Sequence, residues 1–395
     1  MTPESSRLSV TSGRLPLVDA VRGFALFGVV VSNVAVFAGT GAAAVPESPL
    51  EQRVGLLVAS LITGKFLALF ALLFGLSFGL HLRRGAERDE PVAAPYLRRL
   101  GSLLLIGMAH RVLFGADILM TYAVLGVVLL VLRNASDRVL LLAAVLSLGL
   151  PELWRSLAEW IHYQPPPPVI SRADRIRLAT EGPYLELVRV RLVMLTGWWR
   201  QLLPELDNLA LFLLGLWTAR RGLLERLAEE RLLLHAACWG GLVFAIGGNL
   251  AQVALRPAIA SGAGSWAQAT FGIVWNATTF VQAIFYGAGI ALLWSWSGRA
   301  RRLLAWLVPA GRMALTNYLA VSILVTSIVS FTGYYGRLTL AAAVGFGVLL
   351  WIAELAWSTW WLQEHRVGPA EWLWRTLTFG RLQPMRILRT KIQPA

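Results

Sequence analysis

A chain of 395 residues that is 56% hydrophobic and only 15% charged, with a mean hydropathy of +0.61, carries more apolar side chain than a single water-soluble core can hide. Its formal charge of +14 would point to nucleic acid in a soluble protein, but the arginines sit in short connections between apolar runs, where they set topology and meet anionic headgroups. The lone cysteine, Cys238, lies inside an apolar run with no metal-ligand spacing around it, which excludes an internal disulfide and reads as a small core residue.

The apolar runs follow one another at residues 23–44, 66–82, 100–114, 118–132, 139–153, 206–219, 232–255, 271–296, 303–331 and 338–362. Each is near the ~20 residues that a bilayer requires. The expected fold is therefore all-α, a polytopic membrane bundle of about ten transmembrane helices forming a single transmembrane domain over 1–395. With the N-terminus inside, the connections 83–99, 133–138, 220–231 and 299–302 and the tail from 366 share one side, and all are basic. The connections 45–53, 115–116, 257–267 and 332–336 share the other side and hold almost no lysine or arginine. This asymmetry is expected to put both termini in the cytoplasm. Residues 1–15 show no small-residue cleavage site, so the first span is expected to remain as an anchor.

The outside loop 162–204 begins near four prolines at 165–168, which favour extended chain. A helical pattern starts at Tyr184, is interrupted by Arg189 and Arg191, and runs into Trp198 and Trp199; this suits a helix lying along the interface. The cytoplasmic basic tail 363–395 has a similar mixture, with Trp372, Trp374 and Phe379 among Arg375, Arg381 and Arg386. No internal repeat is apparent.

Ionisable residues inside spans are costly and mark function by default. An inner cluster comprises Asp19 and Arg22, three apart on one helix face, and Arg312, with Asn317 and Tyr318 about a turn further along. An outer cluster comprises Lys65, His110, Arg111 and Asp117. Within it, His110 can act as a proton acceptor and Asp117 can fix its tautomer. The competing interpretation is that both residues simply cap adjoining helix ends; for Asp19 and Arg22 it is an interfacial salt bridge. Glu354 stands alone in the last span. Gly75-Leu-Ser-Phe-Gly79 fits the nucleophile-elbow pattern, but that motif needs a strand–turn–helix; inside a membrane helix the same glycines read as a close-packing signature.

Several strings carry a family resemblance: DAVRGFALFG from Asp19, GKFLALFALLFG from Gly64, YLRRLG from Tyr96, and His110 followed by DILMTYAVLG from Asp117. The most specific are GRMALTNYL from Gly311 and GPAEWLWR from Gly368. In these the chain resembles the YeiB-like bacterial membrane proteins with the domain of unknown function 418. That family is similar, at superfamily level, to membrane acyltransferases such as heparan-α-glucosaminide N-acetyltransferase and the acyltransferase-3 proteins. No histidine follows the first span in the outside loop, where the heparan enzyme has its catalytic one, so His110 is the histidine placed to substitute.

The resemblance implies an acyltransferase that moves an acyl group, acetyl in the first instance, from cytoplasmic acyl-CoA to an acceptor hydroxyl or amine at or across the membrane. His110 and Asp117 are the expected catalytic pair. Asp19, Arg22, Arg312 and Asn317 are the expected acyl-CoA contacts, and no metal is expected. The expected partners are membrane lipids, acyl-CoA as co-substrate and an acceptor of unknown identity, with no nucleic acid; a homodimer stays open. The alternatives are a transporter or flippase for a small metabolite or lipid, in which the buried charges contact substrate or protons, and a non-catalytic membrane scaffold.

Overall fold

The computed structural model describes residues 15–40, 48–163, 169–227, 229–261 and 265–387, and among these no strand occurs. The chain opens with α1 (Pro16–Phe37), α2 (Pro49–Leu61), α3 (Lys65–Glu87), α4 (Ala93–Phe114), α5 (Leu119–Val131) and α6 (Asp137–Trp160). The polar α7 (Arg172–Glu181) and the mixed α8 (Tyr184–Leu195) follow, then α9 (Asp207–Arg220), the short α10 (Arg231–His235) and α11 (Gly241–Ala260). The last third is α12 (Ser265–Trp296), α13 (Gly298–Ala305), α14 (Val308–Arg312), α15 (Ala314–Thr332), α16 (Leu340–Trp361) and the tail helix α17 (Pro369–Phe379).

Among the described residues each of the ten apolar runs contains helix; the end of the first run, 41–44, lies outside them. Among the described residues, seven stretches are long and apolar enough to cross a membrane: α1, α2 with α3, α6, α10 with α11, α12, α15 and α16. The runs in α5 and α9 have 13 and 14 helical residues, and α4 carries Arg98, Arg99 and Arg111. Three local departures from the expected pattern have identifiable causes. The connection after α1 contains α2, whose N-terminus is capped by the Ser48 hydroxyl and which gives way to α3 at Gly64, with φ of +80°. The run at 232–255 contains a π-helical turn over Ala236–Gly240, where Cys238 is buried, and continues through Pro257. The run at 303–331 breaks near Met313, so that α15 begins with its own exposed amides at Ala314.

The bundle has two ends. The Pro16 end of α1 packs against α14: the space a side chain at Gly311 would need is taken by the Asp19 carbonyl, and that at Gly23 by the Leu307 carbonyl. The Phe37 end of α1 meets His110, and the Ala38 carbonyl accepts the Gly336 N–H at 2.8 Å. We call these the tail end and the loop end. The densest interface joins α3 to α9, and it rests on glycine. A Cβ on Gly75 would stand 1.9 Å from the Phe212 carbonyl oxygen, and one on Gly215 would stand 2.2 Å from that of Leu72. The two backbones touch, and Phe74 stacks on Phe212 at 4.7 Å alongside. The G-x-x-x-G reading of Gly75 and Gly79 is thus a packing feature, and the intervening Ser77 is engaged by Arg22.

Two carboxylates borrowed from elsewhere in the chain hold the last two spans. At the loop end, Glu51 of α2 accepts the Leu340 and Ala341 N–H groups of α16 at 2.8 and 3.2 Å. At the tail end, Glu371 of α17 accepts the Leu315 and Thr316 N–H groups of α15 at 2.7 and 3.2 Å and lies 2.6 Å from the Thr316 hydroxyl. Both acids satisfy first-turn amides and lie at the positive end of a helix dipole. The two most specific strings of the sequence, from Gly311 and from Gly368, are thus the two halves of one contact. Gly368 is a glycine because a Cβ there would collide with Glu371 and Thr316.

Candidate functional site

His110 lies in the last turn of α4, and α5 begins almost at once. Gly115 makes the reversal possible by taking the left-handed conformation at the C-cap of α4, with φ of +92°. Asp117 is therefore brought back beside His110, and the imidazole Nδ1–H donates to Asp117 Oδ1 at 3.0 Å. The other oxygen, Oδ2, accepts the Met120 N–H at 2.8 Å, and the Tyr318 hydroxyl also bonds the carboxylate. Gly107, one turn before His110, leaves room for this acid: a Cβ there would sit 2.8 Å from Asp117 Oδ2.

The second imidazole nitrogen finds a partner that lies 212 residues further along the chain. Ser322 Oγ of α15 stands 2.8 Å from His110 Nε2, with a longer alternative to the Tyr318 carbonyl at 3.3 Å. With Nδ1 protonated toward Asp117, Nε2 is the acceptor and the serine hydroxyl the donor. All three side chains are buried, and Tyr318 and Phe114 flank the imidazole at 5.0 and 5.2 Å between ring centres. The array is a hydroxyl, a base and an orienting acid in the order that activates an oxygen nucleophile. Sequence reasoning found His110 and Asp117 but not Ser322, and it set Tyr318 beside Arg312 and Asn317, whereas the fold brings it to His110. No local signal marks Ser322, because α15 also holds Thr316, Thr326, Ser327 and Ser330.

The predicted outer cluster divides. Arg111 is within electrostatic reach of Asp117 and Glu205. Lys65 is fully buried elsewhere: its ammonium donates to the Ala59 carbonyl at 2.6 Å and lies 3.9 Å from the ring centre of Trp275 on α12.

In the inner cluster, Arg22 bridges Asp19 at 2.5 Å and donates to Ser77 Oγ at 2.7 Å, tying α1 to α3. Arg312 donates to the Arg366 carbonyl at 3.1 Å and joins α14 to the start of the tail. Asn317 is buried and its amide reaches Ser358 at 3.0 Å and the Ala310 carbonyl at 3.4 Å, so its bonding capacity is spent on holding α14, α15 and α16 together. Glu354 is buried in α16, and neither of its carboxyl oxygens has a hydrogen-bond partner.

The tail helix gives this end a titratable joint. Burial pushes the Glu371 carboxyl above the usual carboxylate range, although the Thr316 hydroxyl and the Leu315 and Thr316 amides pull the other way. A carboxyl raised on folding favours the docked state below its ordinary pKa and loses that contribution as pH rises through the raised value. Docking of α17 is therefore expected to be tighter in mild acid. Glu371→Gln keeps an acceptor for the amides and a donor for Thr316, and should remove the pH dependence while the tail stays docked. Glu371→Ala should weaken docking by about 1–3 kcal/mol by leaving the amides of Leu315 and Thr316 without that partner. Protease sensitivity of the tail, measured across pH for the three proteins, reads this directly.

The family model described as a protein of unknown function (DUF418) matches residues 218–381. The uncharacterized protein YxaH of Bacillus subtilis (strain 168) is 28% identical over 416 residues, covering 95% of this chain and 97% of its own. The uncharacterized protein YeiB of Escherichia coli (strain K12) is 28% identical over 398 residues, covering 93% of this chain and 97% of its own. No solved structure matches the chain significantly.

Proposed function

The chain belongs to the YeiB-like family of membrane proteins that share DUF418, and from that premise we propose a membrane-embedded acyltransferase that uses cytoplasmic acyl-CoA, acetyl-CoA in the first instance. The observation that carries this reading is the buried line Asp117–His110–Ser322. His110 Nε2 takes the Ser322 proton as Oγ attacks the thioester carbonyl. The C–S bond breaks, CoA leaves as the thiol with the proton returned by His110, and Ser322 holds the acyl group as an ester. An acceptor hydroxyl or amine then gives its proton to His110, attacks that ester and regenerates the serine hydroxyl. Asp117 keeps the imidazole in the reactive tautomer and stabilises its protonated form.

In this reading the tail end is cytoplasmic, and Arg22 and Arg312 with the tail supply positive charge for the CoA phosphates. Asp19 fixes the Arg22 guanidinium, and Asn317 fixes the helices around it. From Asp19 to the level of His110 beside Phe37 is eighteen residues of α1, roughly 27 Å along the axis. The thioester must therefore thread deep into the bundle while the phosphates stay at its mouth. Incubation of purified protein with acetyl-CoA should release free CoA and leave one acetyl group on the peptide that contains Ser322. Release of CoA without that adduct in a Ser322→Ala protein would mean direct transfer from thioester to acceptor. No CoA release from the wild-type protein with any acceptor would refute the reading.

The orientation has its own test. A reporter active only outside the cytoplasm should be active when fused after Gly182 and silent when fused after Arg226 or Phe379. Activity at Arg226 would reverse the assignment of the two ends. A second reading, a transporter or flippase for a small metabolite or lipid, is favoured by one observation: the unpartnered Glu354 carboxyl inside α16, a placement suited to carrying a proton.

A further inference from the structure

Away from His110, the loop end carries a second polar region that acyl transfer does not use. An open cleft of about 550 Å³ lies between α6, α11 and α12, with Arg155 and Arg256 facing it across Phe271. It adjoins a smaller one of about 270 Å³ that shares Arg155 and Phe271 and reaches down to Trp275 and Asn276. Behind the Trp275 ring stands the buried ammonium of Lys65. One turn below Arg256 on the same face of α11 is Gln252, buried and with its amide nitrogen unpartnered.

Among the described residues, the acid that lines the cleft is already engaged. Glu152 accepts Arg155 at 2.6 Å and Asn276 at 3.2 Å, and Gly272 is a glycine because a Cβ there would strike that pair. Asp207 is near enough to act on Glu152 electrostatically but does not line the cleft. The pairing orients Arg155 and leaves the remaining guanidinium donors of Arg155, together with Arg256, toward open space. Two arginines over an aromatic floor, at the rim of a membrane bundle, match a flat or tetrahedral oxyanion carried on an apolar body. The wall of Phe271 and Trp275 suits that body, and the depth toward Lys65 suits a ligand inserted head-up from the bilayer.

We infer that this cleft is a binding site for an anionic phosphate or carboxylate headgroup, with Arg155 and Arg256 as its ligands and Trp275 as the wall over a buried lysine. The same chemistry is offered by an anionic phospholipid and by a soluble phosphate ester. Native mass spectrometry on the full chain in neutral detergent distinguishes them, with phosphatidylglycerol, phosphatidylcholine and glycerol phosphate as probes. Phosphatidylglycerol should be retained over phosphatidylcholine, and Arg256→Gln should weaken its retention roughly tenfold or more. Arg256 is exposed near the end of α11, so the variant should fold, which gel filtration checks. Glu152→Gln should also alter retention by freeing Arg155. Glycerol phosphate binding with the same Arg256 dependence, and no lipid preference, would support the site and identify a soluble ligand as its occupant. Equal retention of both lipids with no glycerol phosphate binding, or preference unchanged in Arg256→Gln, would overturn the inference. None of these readouts involves acyl-CoA, so the site stands or falls independently of the transferase reading.

Discussion

His110→Ala should abolish acyl transfer while leaving acyl-CoA binding nearly intact. The imidazole is bonded to both Asp117 and Ser322, so its removal disconnects the acid from the nucleophile. Loss of a general base costs about 10²–10⁴-fold in rate, and because base and nucleophile act as a unit, losing either costs about as much as losing both. Binding should persist because the arginines assigned to the phosphates lie at the opposite end of α1, among contacts that do not involve His110. Asp117→Asn should slow turnover by a smaller factor. An amide oxygen can still take the Nδ1 proton, although the Met120 N–H then faces an amide nitrogen. Rates of CoA release and equilibrium binding of acetyl-CoA, measured on the same preparations, separate the two effects. A His110→Ala protein with full turnover would remove the base from the mechanism.

The largest structural effect is expected at Gly75. Leucine there would have to place a Cβ where the Phe212 carbonyl now lies, 1.9 Å away. Rotamer changes give no relief, because the obstacle is backbone. The two helices must separate, and the Phe74–Phe212 stack and the reciprocal contact at Gly215 go with them. The penalty should exceed the ~1–3 kcal/mol of ordinary overpacking, enough to prevent recovery of a monodisperse protein. Gly101→Ala supplies the contrast: nothing lies within 4 Å of a Cβ at that helical site, and helix propensity favours alanine by up to about 1 kcal/mol. Gel filtration and thermal unfolding of the two variants compare the effects. A well-folded Gly75→Leu protein would mean that the α3–α9 contact is not what holds the bundle.

The helical runs were legible in the sequence because the bilayer imposes a length and a composition on every span. The pairing of His110 with Asp117 was legible because the reversal between α4 and α5 is too short to part them. What escaped was determined by distant contacts. Nothing local to Ser322 distinguishes it from any serine that bonds its own helix, and its role depends on a histidine on another span. Lys65 was grouped with His110 by its position at the start of an apolar run, but the break at Gly64 and the intervening α2 carry it to α12. Glu371 lies in the basic tail, and no reading of the sequence singled it out. Its burial follows from the exposed amides that the break at Met313 leaves at the head of α15, which no periodicity in the tail reveals.

The capping of α15 by Glu371 also has a consequence for biogenesis. Translation proceeds at about 5–20 residues per second, so α15 leaves the ribosome seconds before the acid that completes it. During that interval the amides of Leu315 and Thr316 have only water or other transient partners, and the Thr316 hydroxyl has not yet met α17. The final assembly of the last two spans must therefore wait until α17 has been made. A transcript truncated before Gly368 would yield a protein with every span present and the head of α15 uncapped, a natural target for membrane quality control.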